Sequence, residues 1–277
     1  MNTPSTPSTR TTNVVPMSSP IITEWCDWMT AQGLSKRTIN ERAMLFLRLG
    51  KDLTLTVGDM VKELGRPELS NASKATYTNH LRAFFDWAKR MEYVDKDPTT
   101  KLPVSKVPRS RKSPITDAEL QKLMAAPMRA KTRAMVLLCA YQGLRIHEAV
   151  KVKASDIDLA AGTLTVDGKG GVVAELTLSD VIRNLAATMP DGYWFPSGDS
   201  HVKANSASDT VGKAMRRAGV PGSAHSLRRW YATQLLRRGA NMRVVQELMR
   251  HASPATTAIY AQPDPDQMRA AIDSLAA

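Results

Sequence analysis

The sequence predicts a mainly α-helical, α+β protein of two domains, with its β-structure confined to a small hairpin. Three observations carry that prediction. Apolar residues recur three and four positions apart over most of the chain, the spacing of one helix face. One short region instead has strand-like runs, Thr163–Val166 and Val172–Leu178, on either side of Gly168-Lys169-Gly170-Gly171. A Pro-containing basic segment divides the chain, and 277 residues are enough for a core on each side of it.

Met1–Ser19 is rich in Thr, Ser and Pro, has Arg10 as its single charged side chain and lacks the apolar centre of a signal peptide. It reads as a disordered tail. Residues 20–100 read as a helical domain. Trp25, Trp28 and Met29 recur at helical spacing, and after Ser35 an apolar face is expected from Ile39, Met44, Leu45, Leu47 and Leu49. A short helix follows over Thr56–Leu64. Between Ser73 and Met91, the residues Tyr77, Leu81, Phe84, Phe85 and Ala88 form an amphipathic stripe, which reads as core in preference to a base-stacking surface. Asp97-Pro98 ends the unit, because the residue before proline avoids helical geometry.

Residues 101–112 are the expected linker. The run KLPVSKVPRSRK has five basic residues, two prolines and no acid. Proline keeps such a chain extended, and Lys106, Arg109, Arg111 and Lys112 can lie along phosphates; a plain solvated spacer is the alternative.

Residues 113–277 read as the second domain. Thr116 and Glu119 have capping-box spacing, and Ala130–Tyr141 is an apolar helix stopped near Gly143. The hairpin comes next. Helices are then expected over Ser179–Thr188, Asn205–Ala218, His225–Arg238, Asn241–Arg250 and Pro254–Gln262, and an amphipathic terminal helix over Asp266–Ala277.

Composition narrows the partner. With 38 Lys and Arg against 26 Asp and Glu the formal charge is +12, which suits a polyanion such as nucleic acid. Cys26 and Cys139 are too few for a disulfide framework and lie in apolar stretches, as buried free thiols do. No apolar run has the length of a membrane span, so no membrane partner is expected. No residues have metal-ligand spacing, and neither metal nor other cofactor is expected. The glycine-rich turn is not a phosphate-binding P-loop: Gly162 and Gly168 are one residue too far apart, and Gly170 stands where Ser or Thr is needed.

The chemistry-bearing residues form an ordered set: Arg145, Lys169, His225, Arg228, His251 and Tyr260. Phosphodiesters resist attack because they are anionic, and a tyrosine with a pKa of about 10 is a weak nucleophile near neutrality. A catalyst must cancel phosphate charge and move protons. Arg145 and Arg228 suit the first task, since guanidinium is planar, always charged and bidentate toward phosphate. His225 and Arg228 are three apart, hence on one helix face, near a helix N-terminus that itself favours anions. His225 and His251 can exchange protons, and Lys169 at a turn can reach a leaving oxygen. Taken singly, each has a plainer reading: the arginines as structural ion pairs, the histidines as surface or capping residues, Lys169 as a solvated turn residue and Tyr260 as packing.

The order changes those readings. Gly143-Leu144-Arg145-Ile146-His147-Glu148, His225-Ser226-Leu227-Arg228-Arg229, Leu248-Met249-Arg250-His251-Ala252 and Tyr260 resemble, at family spacing, the motifs of the tyrosine recombinase (phage integrase) family, over about residues 21–263. The resemblance implies a helical core-binding domain and a mixed catalytic domain that close around duplex DNA. It assigns Tyr260 as the nucleophile forming a 3′-phosphotyrosyl link, with Arg145, Lys169, His225, Arg228 and His251 as partners. It also implies a homo-tetramer on two DNA sites, a possible directionality factor and action on DNA in a bacterial cytoplasm. The short tail suggests a compact integrase of a phage or mobile element, without an arm-binding domain. Four positions depart from the family pattern: Ser226 replaces a common Asp, Arg229 follows the second arginine, Arg250 replaces the usual Gly before His251, and Val173 stands where a second lysine is common. A type IB topoisomerase shares the chemistry, and a DNA-binding regulator that has lost catalysis is the alternative of a different class.

Overall fold

The computed structural model describes residues 19–103, 114–167 and 173–250, together with 269 and 273. The chain forms two compact units, Met1–Ser110 and Arg111–Ala277.

The first unit is helical: α1 (Pro20–Ala31), α2 (Lys36–Leu49), α3 (Val57–Leu64), α4 (Asn71–Arg90) and a 3-10 turn at Pro98–Lys101. Local chemistry sets the starts. Pro20 opens α1, where its missing N–H costs nothing. The Ser35 and Ser70 hydroxyls accept from Thr38 N and Ser73 N, and Thr56 and Asp59 form a reciprocal capping box. The core is aromatic. Trp25, Phe46, Phe84 and Trp87 are all at most 1% exposed, with Phe46 and Phe84 centroids 4.3 Å apart. The α4 stripe is buried as expected at Leu81, Phe84, Phe85 and Ala88; Tyr77 is half-buried beneath the Arg48 guanidinium. The expected face of α2 is buried at Ile39 and Leu45 but needs correction at Met44. Ile39, Ala43 and Phe46 are buried at i, i+4 and i+7, whereas Met44 lies on the opposite side and is 51% exposed.

Two positions assigned to the linker also move. Lys101 closes the 3-10 turn, and Leu102 is buried in the first core. Lys106, Arg109, Arg111 and Lys112 lie outside the described residues, as does the tail before Ser19.

The second unit begins with α5 (Asp117–Ala125) and α6 (Ala130–Tyr141), then the single-turn α7 (Ile146–Ala149). The strands β1 (Ile157–Asp158), β2 (Thr163–Asp167) and β3 (Val173–Thr177) form an antiparallel sheet with Leu164 opposite Leu176 and Thr165 opposite Glu175. After α8 (Asp180–Ala186), the short pair β4 (Pro196–Ser197) and β5 (Ser200–His201) leads to α9 (Ala204–Arg217), α10 (Ala224–Arg237) and α11 (Met242–Leu248). The expected capping box at Thr116 and Glu119 is present, with Thr116 N donating to Glu119 Oε2 at 2.7 Å. The hairpin pairs as expected, but β1 extends it to three strands, and the β4–β5 pair had no counterpart in the sequence reading.

Helix α6 is the central column, packed against α7, α8, α9 and α10. Leu138, Cys139 and Ala140 are fully buried on it, and each buried aliphatic side chain contributes roughly 1.5–3 kcal/mol by leaving water. The buried Gln142 ends α6 with its amide satisfied: Nε2 donates to Thr177 O at 2.8 Å, and Oε1 accepts from Ser179 N at 3.0 Å. This ties the column to the end of β3 and the start of α8. On the other side, Asp117 Oδ1 accepts from Trp230 Nε1 and Gln234 Nε2, both at 2.6 Å, and so fixes α10 against α5. Among the described residues no helix is long and apolar enough to cross a membrane.

Candidate functional site

Three loops of the second unit converge where α6, α10 and α11 meet. The first is the turn at Gly143. Its φ of 64° favours glycine, and an added Cβ would sit 2.6 Å from the Tyr231 ring, so both backbone and space exclude a side chain. The turn delivers Arg145 to the start of α7, where Arg145 N donates to Glu148 Oε2 at 2.7 Å.

The second loop enters α10. Ser223 N donates to Ser226 Oγ at 3.2 Å, so Ser226, buried, satisfies a backbone donor at the helix start. His225 lies in the first turn and is exposed, and Arg228 lies one turn further in and is buried. The third loop leaves α11. Met249 is buried, and Arg250 follows it with φ of 49°, a left-handed conformation that costs a non-glycine residue roughly 1–2 kcal/mol.

Glu148 is the centre of the arrangement, with 1% of its side chain exposed. Arg145 Nη1 lies 3.0 Å from Glu148 Oε1, while Arg250 Nη2 and Arg228 Nη1 lie 2.6 and 3.9 Å from Oε2. Arg228 also donates through Nη1 to the Gly143 carbonyl and through Nη2 to the Met249 carbonyl, which pins all three loops together. Burial pushes the Glu148 carboxyl upward. The Arg250 guanidinium, the Arg145 backbone N–H and the Arg228 and Arg145 guanidiniums together outweigh it and hold the group below the usual carboxylate range. Glu148 is therefore ionised, and the arginines around it carry more charge than it cancels.

Neighbouring groups respond to burial. Burial lowers His147 against the pull of Glu148, and it raises the Tyr231 phenol. The buried Cys139 thiol is pushed up to about 12, chiefly by burial, so it stays protonated and inert. Among the described residues no cluster of His, Cys, Asp or Glu can hold a metal ion.

Of the expected site residues, the structure brings Arg145 and Arg228 together around Glu148 and puts His225 on the same helix face as Arg228. Lys169, His251 and Tyr260 lie outside the described residues. Sequence reasoning missed two members, Glu148 and Arg250. Glu148 had a signal: its spacing from Arg145 matches that of the capping pair Thr116 and Glu119, without the hydroxyl residue that announces such a pair. Arg250 stands within a recognisable motif, yet nothing in the sequence discloses a left-handed backbone.

Residues 114–267 match the model of the phage integrase family. The chain is 30% identical over 274 residues to tyrosine recombinase XerA of Thermococcus kodakarensis, covering 92% of this chain and 95% of that protein. It resembles the solved integrase of mycobacterium phage Brujita at 37% identity and a TM-score of 0.52, covering 92% and 91% of the two chains. A lambda integrase fragment, solved as a dimer bound to a COC′ core site, shares the fold at a TM-score of 0.73 and 17% identity, covering 87% of this chain and 94% of that one.

Proposed function

The chain belongs to the phage integrase family and is a site-specific recombinase of the tyrosine type, and from that premise we propose that it cuts and rejoins double-stranded DNA through Tyr260. The observation that carries the reading is the convergence of the Arg145 and Arg228 guanidiniums on Glu148 beside the N-terminus of α10. Such an arrangement suits a phosphate, and the lambda relative was solved on a DNA core site.

In the proposed reaction, the Tyr260 phenolic oxygen attacks phosphorus and the bond to the 5′ oxygen breaks. The tyrosine proton passes to His225, acting as base, and Lys169 protonates the departing 5′ oxygen. Arg145 and Arg228 neutralise the non-bridging oxygens as charge builds, and His251 donates to one of them. The 3′-phosphotyrosyl link conserves the energy of the original bond. A free 5′-hydroxyl from a partner strand can therefore reverse the attack without ATP or metal.

Four copies on two DNA sites would exchange strands in two such rounds, with a directionality factor as a possible additional partner. The setting is a phage or mobile element acting on DNA in a bacterial cytoplasm. The test is incubation with nicked suicide duplexes. A covalent protein–DNA adduct together with recombinant product is the expected result. An adduct without recombinant product, from a protein that relaxes supercoiled plasmid, would identify a type IB topoisomerase, and binding without an adduct would identify a silent regulator.

A further inference from the structure

Arg250 is the cation of this pocket that the proposed reaction leaves unused. Helix α11 stops at Leu248, and Arg250 keeps a left-handed backbone that arginine adopts at a cost. What its side chain does there is specific. Nη2 reaches Glu148 Oε2 at 2.6 Å, across 102 residues of sequence, and only 14% of the side chain remains exposed. Its Nε and Nη1 are withdrawn from water, and no described residue accepts a hydrogen bond from either. Burial pulls its pKa down and Glu148 pulls it up, with burial the larger.

Two features point to an anion. Buried guanidinium nitrogens without an acceptor are unfavourable, and an arriving oxyanion removes that penalty. The charges also fail to balance, since one carboxylate faces the guanidiniums of Arg145, Arg228 and Arg250. Arg228 is 1% exposed and its terminal nitrogens hold the Gly143 and Met249 carbonyls. Arg145 and Arg250 are the more open of the three, at 33% and 14%. An anion arriving from solvent meets Arg145 first.

We propose that Arg250 is a phosphate-binding residue of this pocket. Its Nη2 stays on Glu148 while its Nε and Nη1 edge receives a non-bridging oxygen of the scissile phosphate. The inference rests on reading the pocket as the site of DNA cleavage. Relative to a pocket with two arginines, it gives this chain a third donor to the reacting group, held in place by the same carboxylate.

The test pairs a protein change with a substrate change. Arg250→Gly removes the guanidinium and suits the left-handed backbone, and Arg250→Lys keeps the charge with a single ammonium. Both variants are first checked for binding to a recombination half-site. Adduct formation is then timed on suicide duplexes with an ordinary scissile phosphate or a methylphosphonate, which lacks one negative charge. On phosphate, Arg250→Gly is expected to slow attachment by about 100-fold, the scale of losing one preorganised donor, and Arg250→Lys to recover part of that loss. On methylphosphonate, the gap between parent and Arg250→Gly should shrink to a few-fold, because the charge that Arg250 meets is gone. Equal proportional loss on both substrates, no loss on phosphate, or failure of methylphosphonate to restore the variant overturns the proposal. Failure of the parent protein to attach to ordinary phosphate would instead overturn the cleavage reading beneath it.

Discussion

At the scale of single residues, the pocket is organised by an acid that never needs to touch a substrate. Glu148 is buried among the guanidiniums of Arg145, Arg228 and Arg250, so removing it leaves buried positive charges facing one another. Glu148→Ala should cost about 3–5 kcal/mol in denaturant unfolding, the usual penalty for breaking a buried ion pair from one side; a loss below about 1 kcal/mol would place the cluster in effective contact with water. The acid also sets a pH limit. Its folded pKa lies below its unfolded value, so its stabilisation is complete above the unfolded value of about 4.3 and fades as pH falls through the folded one. Glu148→Gln should therefore flatten the acid limb of the stability profile in that range, and an unchanged limb would count against this assignment. Gly143 makes a second point. Gly143→Ala forces a Cβ to within 2.6 Å of the Tyr231 ring at a φ of 64°. Overpacking of about 1–3 kcal/mol should add to roughly 1–2 kcal/mol of backbone strain, measured as a drop in unfolding free energy.

At the scale of elements, the arginines are only as well placed as the helices that carry them. Asp117 holds α10 against α5 through Trp230 and Gln234. Asp117→Ala leaves the partly buried Trp230 N–H without that acceptor, and should lower stability by about 1–3 kcal/mol while slowing adduct formation, since Arg228 rides on α10. A stability loss with an unchanged cleavage rate would show that the tether does not position the site. The same elements show what the sequence disclosed. Long helices were legible because apolar spacing and end chemistry agree, as at Thr116 with Glu119 and along Leu81, Phe84, Phe85 and Ala88. Met44 was misplaced because one helix carries apolar residues on more than one face, and the partner helix decides which is buried. The pairs Ile157–Asp158 and Pro196–Ser197 with Ser200–His201 are too short for alternation to register. That Arg145 and Arg228 come together, with His225 on the Arg228 face of α10, was readable from type and order. Glu148 and Arg250 were not, because burial and a left-handed φ belong to the folded chain.

At the scale of the whole molecule, the formal charge of +12 suits a polyanionic partner, and the basic run of residues 101–112 is proposed to add to DNA affinity. Neutralising Lys106, Arg109, Arg111 and Lys112 should weaken binding across sequences and reduce the salt slope by roughly 0.9 log unit for each phosphate that is no longer neutralised. An unchanged slope would leave the segment as a spacer. The central claim is that strand cutting runs through one phenolic oxygen. It is tested most directly by trapping the covalent complex on a nicked duplex carrying the recombination site, digesting it and locating the nucleotide-bearing residue by mass spectrometry. The account predicts a 3′-phosphate on Tyr260, and Tyr260→Phe that binds the same duplex with unchanged affinity and forms no adduct. A nucleotide on any other residue, or strand exchange that persists in Tyr260→Phe, would contradict it.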